Sequence, residues 1–437
     1  MRAIVAPLMM LALAASPVAA QTTAAKPAAG KTLDIYVIDV EGGKATLFVT
    51  PTGETVLLDS GNPGPRDQER ITSVLTAAGV KQIDFLVTTH YHVDHIGGMQ
   101  ELAKTVPIKH FVDHGPSVEE REQVAGFQAA YAELRAKAKH TVAKPGDKLP
   151  IAGIDWRVVT SAGKPSKTPL PGGGKANPHC ADFKPRENLR DPENGQSLGS
   201  VITFGKFRAI DLGDLLWNNE FDLMCPNNPI GSVDVYLVSH HGIDPSGSTT
   251  LVHGLQPRVA IMQNGTRKGG TVQTSQIINS SPNFEDLWQL HWSYNGGIEH
   301  NPSGLFIANV DDLSVIANVL TAPPGGPRGG GPGGGPAAAA PGGAAPPPGT
   351  TASGGGTPAP PPTVAPPPTT PAAPNAPAQG TAAPQDAPAG RQGGGGGGRG
   401  AQAHSGPAFW IKVSARADGS FTVTNTRNAF TKTYHAR

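Results

Sequence analysis

Thr89-His90-Tyr91-His92-Val93-Asp94-His95-Ile96-Gly97-Gly98 decides the reading of this chain. Three imidazoles and one carboxylate stand within six residues, and the apolar run ahead of them, residues 83–89 (IDFLVTT), has the length and branching of a buried strand. So many polar groups in one turn pack poorly as core. As a metal site they make sense, because neutral imidazole and carboxylate are ligands that suit zinc. Alternation along the turn lets His90 and His92 face one ion while Asp94 and His95 turn to a second, about 3.5–4 Å away. Gly97 and Gly98 then let the backbone of a following helix approach the metal loop closely.

Outward from that point the pattern alternates strands with helices. Residues 33–40 (LDIYVIDV), 45–50 (ATLFVT) and 55–59 (TVLLD) are strands separated by the turns Glu41-Gly42-Gly43 and Pro51-Thr52-Gly53. Apolar residues Ile71, Val74, Leu75 and Ala78 have helical spacing over 66–79, and a second helix is expected over 118–139, with Ser117 as N-cap and Glu119-Glu120 in its first turn. Residues 163–196, rich in Pro, Gly and Asn, read as a long surface loop. Residues 198–204 and 207–212 form a hairpin around Gly205-Lys206, and Asp214 follows its second strand; residues 233–239 (VDVYLVS) form a buried strand that ends at His240-His241-Gly242. A hairpin around Asp418-Gly419 joins 409–415 to 420–425; it is too small to be stable alone and is expected to dock on the first sheet.

Composition sets the boundaries. Residues 322–403 hold 23 of the 56 glycines and 21 of the 44 prolines, with no G-X-Y period, so this stretch cannot build a core and reads as a disordered Pro/Gly/Ala-rich insertion. Residues 21–321 are then the principal domain, which 404–437 completes. Residues 1–20 read as a cleaved secretory signal: Arg2, an apolar stretch over 4–15 and the small residues Val18-Ala19-Ala20, too short to span a bilayer. Export to the periplasm or medium makes Cys180 and Cys225 candidates for a disulfide. A formal net charge of +1 gives no electrostatic argument for a nucleic-acid or membrane partner at the level of the whole chain, and no protein partner is implied.

The HxHxDH motif, together with Asp39-Val40-Glu41-Gly42-Gly43-Lys44-Ala45, Leu58-Asp59-Ser60-Gly61, residues 194–200 (NGQSLGS), Gly213-Asp214 and Ser239-His240-His241-Gly242, resembles the metallo-β-lactamase superfamily, most closely the hydrolase-like domain of ComEC-type competence proteins. The resemblance implies an α/β fold, an αββα sandwich of two mixed sheets flanked by helices. It implies two divalent metal ions, zinc first and manganese or iron otherwise: His90 and His92 on one, Asp94 and His95 on the other, Asp214 bridging, and His240 completing the second set with His241 as the alternate. Asp59 would orient the metal loop from behind.

The activity implied is hydrolysis by hydroxide held between the ions, with Asp94 and Asp214 in the catalytic machinery and a phosphodiester as the leading substrate. A lactone or other ester, or a non-catalytic metal-binding envelope protein, are the alternatives. One departure stands out. Most active members of the superfamily carry a third histidine between HxHxDH and the bridging aspartate, and here, as in the ComEC group that the chain resembles, Asn194 and Ser197 stand near that place; His114 and His179 are the candidate substitutes. Arg267 and Lys268, in residues 264–270 (NGTRKGG), are candidates for binding an anionic substrate, with His253, His291 and Trp292 behind them.

Overall fold

The computed structural model describes residues 32–310 and 406–437, apart from 188 and 190. All of these fall in one compact unit. The signal expected over 1–20 and the insertion expected over 322–403 lie outside the described residues.

Two nine-stranded sheets stack face to face. In the first, Leu33–Val37, Thr46–Val49 and Thr55–Leu58 form an antiparallel meander, and Ile83–Val87, Ile108–Asp113 and Lys139–Val142 continue it in parallel. On its other edge Ile411–Ala415 pairs antiparallel with Leu33–Val37, in the register Ile35 opposite Val413, and is followed by Phe421–Asn425 and Thr431–Tyr434. The second sheet runs antiparallel through Lys148–Leu149, Asp155–Ser161, Gly199–Phe204 and Phe207–Asp211, with the two-residue strand Lys164–Pro165 paired antiparallel to Asp155–Ser161 beside that path. It then turns parallel through Val235–Leu237, Val259–Met262, Asp286–His291 and Ile307–Asn309.

The central parallel strands Val235–Leu237 and Val259–Met262 read as unbroken apolar runs because both of their faces are covered. In Ile83–Val87, Phe85 and Val87 join the core between the sheets, whereas Leu86 faces outward and, with Ile83 at the start of the strand, joins Ile71, Val74 and Leu75 of the helix Pro65–Ala77 and Leu102 of Met99–Thr105 in the outer core. The second sheet is covered in the same way by Trp217–Met224, Thr249–Leu255 and Val272–Asn279, through Leu223, Met224, Leu251, Leu255 and Ile278. The layers are therefore helix, sheet, sheet, helix.

Two expectations need correction. The helix begins at Glu122, with Arg121 as its N-cap, and ends at Arg135. Ser117 and Val118 are drawn instead to the buried carboxylate of Glu193, which accepts from Ser117 Oγ at 3.2 Å and from the Val118 amide at 2.8 Å, so residues 118–121 stay extended and Glu119 is released from the helix. The stretch 163–196 is not a plain loop. It carries short bridges at Lys164–Pro165 and Lys175–Ala176, the turn Pro192–Gly195 and a disulfide from Cys180 to Cys225 with Cα atoms 5.9 Å apart.

Candidate metal centre

Polar loops leave both sheets at one edge and converge there. After Val87 the chain runs through Thr88 and Thr89 into the short helix Val93–Ile96, so the HxHxDH segment wraps around the end of its strand. Gly97 and Gly98 let it close on the neighbouring turn: a Cβ on Gly97 would lie 2.4 Å from Pro63 Cδ, and one on Gly98 2.2 Å from the Ser60 carbonyl oxygen. Facing it, Asp214 follows the strand Phe207–Asp211, with its amide donating to Ser197 Oγ at 3.1 Å. His240 and His241 follow Val235–Leu237, both in left-handed backbone (φ 52° and 56°).

Asp214 Oδ2 is the focus. It lies 3.3 Å from His95 Nε2, 3.3 Å from His241 Nε2, 3.5 Å from His240 Nε2 and 3.9 Å from His90 Nε2. Asp94 Oδ2 stands 3.1 Å from His241 Nε2 and 3.5 Å from His95 Nε2. Ligands placed tetrahedrally around an ion at about 2.0–2.1 Å stand roughly 3.3 Å from one another, so Asp94, His95, Asp214 and His241 have the spacing of a coordination shell.

The chemistry of these donors fits a metal as well as their spacing. The Nε2 atoms of His90, His95 and His241 and the Oδ1 of Asp214 are buried with no hydrogen-bond partner. In each of those imidazoles the other nitrogen is held from behind. His95 Nδ1 donates to Asp59 Oδ2 at 2.7 Å, and His241 Nδ1 to the Gln263 carbonyl at 3.2 Å. Thr89 Oγ1 gives its proton to Asp59 Oδ2 at 2.7 Å and so accepts from His90 Nδ1 at 3.1 Å. In the neutral imidazoles this fixes the tautomer that leaves the Nε2 lone pair aimed at the centre; on His95 an ion would take the place of the proton that the carboxylates favour. Asp59 adopts φ 59° and also accepts the Thr89 amide at 2.8 Å.

Electrostatics bind the cluster together. Burial opposes charge on Asp94 and Asp214, but Lys268 and His95 beside the first, and His95, His241 and His240 beside the second, hold both carboxyls well below the usual range. Burial alone would neutralise His95; Asp214, Asp94 and Asp59 reverse this and raise it well above an ordinary histidine. Burial, then the neighbouring His95 and His92, push His90 the other way, well down. Burial also pushes His240 down to about 4.

The remaining candidates fall around this core. His92 turns its Nε2 to Glu119 Oε2 at 3.0 Å and Asp191 Oδ1 at 3.2 Å, with its ring edge-on to His90 at 4.5 Å. Asn194 is buried and its Nδ2 donates to His240 Nε2 at 3.3 Å. Lys268 Nζ rests on Asp94 Oδ2, whereas Arg267 is exposed and stacks over Tyr294. His114 is paired with Glu193 at 2.9 Å, and His179 packs against His253. His291 joins Asp39 at 2.9 Å and Glu41 at 3.1 Å in a separate buried group that also includes Arg70, 2.8 Å from Asp39; Trp292 packs near Ile307 and Tyr294.

Sequence reasoning did not find Glu119, Asp191 or Ser246, the last of which stands 3.0 Å from His240 Nδ1. Asp191-Pro192 carries the signature of a helix cap and could have been read as one, since Asp191 accepts the Asn194 amide at 3.2 Å. Nothing local marks the other two.

Residues 38–177 match the family profile described as the Metallo-beta-lactamase superfamily. Over 249 residues the chain is 27% identical to ComE operon protein 3 of Bacillus subtilis (strain 168), covering 53% of this chain and 28% of that protein. It is 23% identical over 238 residues to Competence protein ComA of Neisseria gonorrhoeae, covering 54% and 28%. The chain thus spans less than a third of the length of these curated relatives. Among solved structures it is similar to a metallo-β-lactamase of Cronobacter sakazakii with the HARLDQ motif, at 16% identity and TM-score 0.26, covering 43% of this chain and 64% of that one.

Proposed function

We propose that this chain, which has the metallo-β-lactamase superfamily fold and ComEC-like competence relatives, is an exported hydrolase that works with two divalent metal ions, zinc first, on a phosphodiester. The observation that carries the reading is the convergence of four imidazole nitrogens on Asp214 Oδ2, three of them buried without a hydrogen bond, each with its back nitrogen tied. A cation at the centre would satisfy these buried nitrogens.

In this reading Asp94, His95 and His241 would hold one ion, His90 and His92 would hold the other, and Asp214 would serve both. When bound, such ions lower the pKa of water toward neutrality and stabilise the charge that develops on the substrate. The protein's own groups do the rest. Asp59 and Thr89 hold His95 and His90 in one tautomer, Ser197 fixes the turn that presents Asp214, and Asp94, freed from Lys268, accepts a proton from the attacking water. Lys268 and Arg267 stand ready for an anionic substrate, and Arg121, paired with Glu119, adds a cation on the His92 side.

The phosphodiester is favoured over a lactone by these cations and by relatives whose names place them in competence. Export rests on residues 1–20. The domain comprises 21–321 and 404–437, with 322–403 inserted between the two parts.

The test is hydrolysis of a chromogenic phosphodiester by the zinc-loaded mature chain, beside a lactone and an Asp94→Ala variant. Phosphodiester turnover that is lost in the variant is the expected result. Turnover of the lactone alone would transfer the activity to esters, and turnover of neither by a metal-loaded chain would make this a binding protein.

A further inference from the structure

His90 and His92 supply two imidazoles to the first ion and Asp214 is shared with the second, so the third imidazole that the resemblance leads one to expect on the first ion is lacking. No histidine stands between the HxHxDH motif and Asp214 in a position to help: His110 pairs with Thr141, His114 with Glu193 and His140 with Asp113, and His179 packs edge-on against His253. We propose that His240 is the missing third imidazole, reaching the first ion from behind the bridging aspartate rather than from ahead of it. The proposal rests on the reading of the centre as dinuclear and goes beyond it by giving His240 and His241 to different ions.

Four observations carry it. His241 already stands with Asp94 and His95, its Nε2 3.1 Å from Asp94 Oδ2, and is spoken for by the second ion. His240 lies outside that group: its Nε2 is 3.5 Å from the same Asp214 Oδ2 and accepts from Asn194 Nδ2 at 3.3 Å, and Asn194 occupies the segment where a third histidine is lacking.

With the Asn194 amide donating to Nε2, the proton of His240 is on Nδ1, where Ser246 Oγ accepts it at 3.0 Å; Nε2 is thus the unprotonated nitrogen, and an ion there would replace its hydrogen bond from Asn194. Ser246 is itself buried, and the next two amides, of Gly247 and Ser248, are held by Glu220, each at 2.7 Å, so the strut behind His240 is rigid.

The backbone pays for this arrangement. His240 (φ 52°, ψ 43°) and His241 (φ 56°, ψ 8°) are consecutive side-chain-bearing residues in the left-handed region, a strained conformation that glycine or asparagine would adopt more readily. Its effect is to turn both rings toward Asp214 with their centroids 6.1 Å apart. One histidine would have needed no such pair of residues.

The experiment counts metal. The mature chain is stripped with chelator and titrated with zinc under a competing indicator, and with cobalt while the visible spectrum is followed; His240→Asn, His241→Asn and Ser246→Ala are treated alike. Asparagine is chosen because it tolerates φ near +50°, so backbone strain is not the cause of any loss. The wild type is expected to bind two ions. His240→Asn should keep one, with the other weakened more than about 100-fold, since loss of an outer-shell partner alone costs 10–100-fold. His241→Asn should lose the opposite ion, so the residual cobalt spectra of the two variants differ. Ser246→Ala should weaken the same ion as His240→Asn by about 10-fold.

Two ions bound by His240→Asn within threefold of the wild-type affinities would overturn the proposal and leave the dinuclear reading intact. Fewer than two ions on the wild type would overturn both. Should His240→Asn lack the native circular dichroism spectrum, Ser246→Ala decides: affinities within threefold of wild type overturn the proposal.

Discussion

Replacing Lys44 by methionine should destabilise the protein by about 3–5 kcal/mol, and the structure shows why. Lys44 Nζ lies 2.8 Å from Asp211 Oδ2, with 2% and 0% of the two side chains exposed. At an effective dielectric of about 20, two unit charges at that separation attract by roughly 6 kcal/mol. Losing the partner strands Asp211 beneath the centre, and protonation or water entry recovers part of the loss, which gives the smaller figure. The pair links the two sheets: the Lys44 amide donates to the Asp94 carbonyl at 3.0 Å, while Asp211 Oδ1 accepts the Gly213 amide at 2.8 Å just ahead of Asp214. Urea unfolding of the metal-free chain measures the cost. Adding Asp211→Asn, which keeps the Gly213 contact and removes the stranded charge, should recover at least about 2 kcal/mol of it. A single-variant loss below about 1 kcal/mol, or additive behaviour of the two changes, would refute the reasoning.

Three further expectations follow from other parts of the molecule. Asp59→Asn removes the carboxylate behind His95 and should weaken binding of the ion that Asp94, His95 and His241 are proposed to hold by 10–100-fold in a chelator competition, with little change in the fold by circular dichroism. Glu220, fully buried, is pushed by desolvation up to about 7 from 4.5; the folded state therefore keeps a proton that the unfolded chain releases. Stability should be full below pH 4.5 on this account and fall as pH rises to 7, by about 3 kcal/mol, and the thermal midpoint of Glu220→Gln should lose that slope. Replacing both Cys180 and Cys225 by serine opens a loop with a sequence separation of 45, worth about 4 kcal/mol on the chain-entropy account, and should lower the urea midpoint accordingly.

What the sequence made legible was what is local. The HxHxDH segment needs one turn after one strand to bring His90, Asp94 and His95 together, and the glycines that let it close are adjacent to it. The apolar runs at 33–37, 83–87 and 235–237 announce strands covered on both faces, and hence layers. Long-range contacts were not legible. Glu119 looked like a first-turn acid of a helix until Glu193, more than 70 residues on, drew Ser117 and Val118 away. His240 and His241 are adjacent and chemically alike, and only their left-handed backbone decides which of them meets Asp94. The strand Thr431–Tyr434, with its polar sequence TKTY, carries too little apolar signal to be read as a strand alone; Tyr434 earns its burial by stacking on Phe421 and by accepting a hydrogen bond from Trp288 Nε1 at 3.0 Å.

The most direct test of the central claim is the turnover of a chromogenic phosphodiester as zinc is titrated into the chelator-stripped mature chain, with Asp214→Asn alongside. The account predicts no turnover without metal, a rise that follows the second equivalent of zinc, and loss of that rise in Asp214→Asn, whose side chain no longer offers a charged carboxylate to both ions. Turnover by the stripped chain, or an undiminished rate in Asp214→Asn with both ions bound, would contradict it.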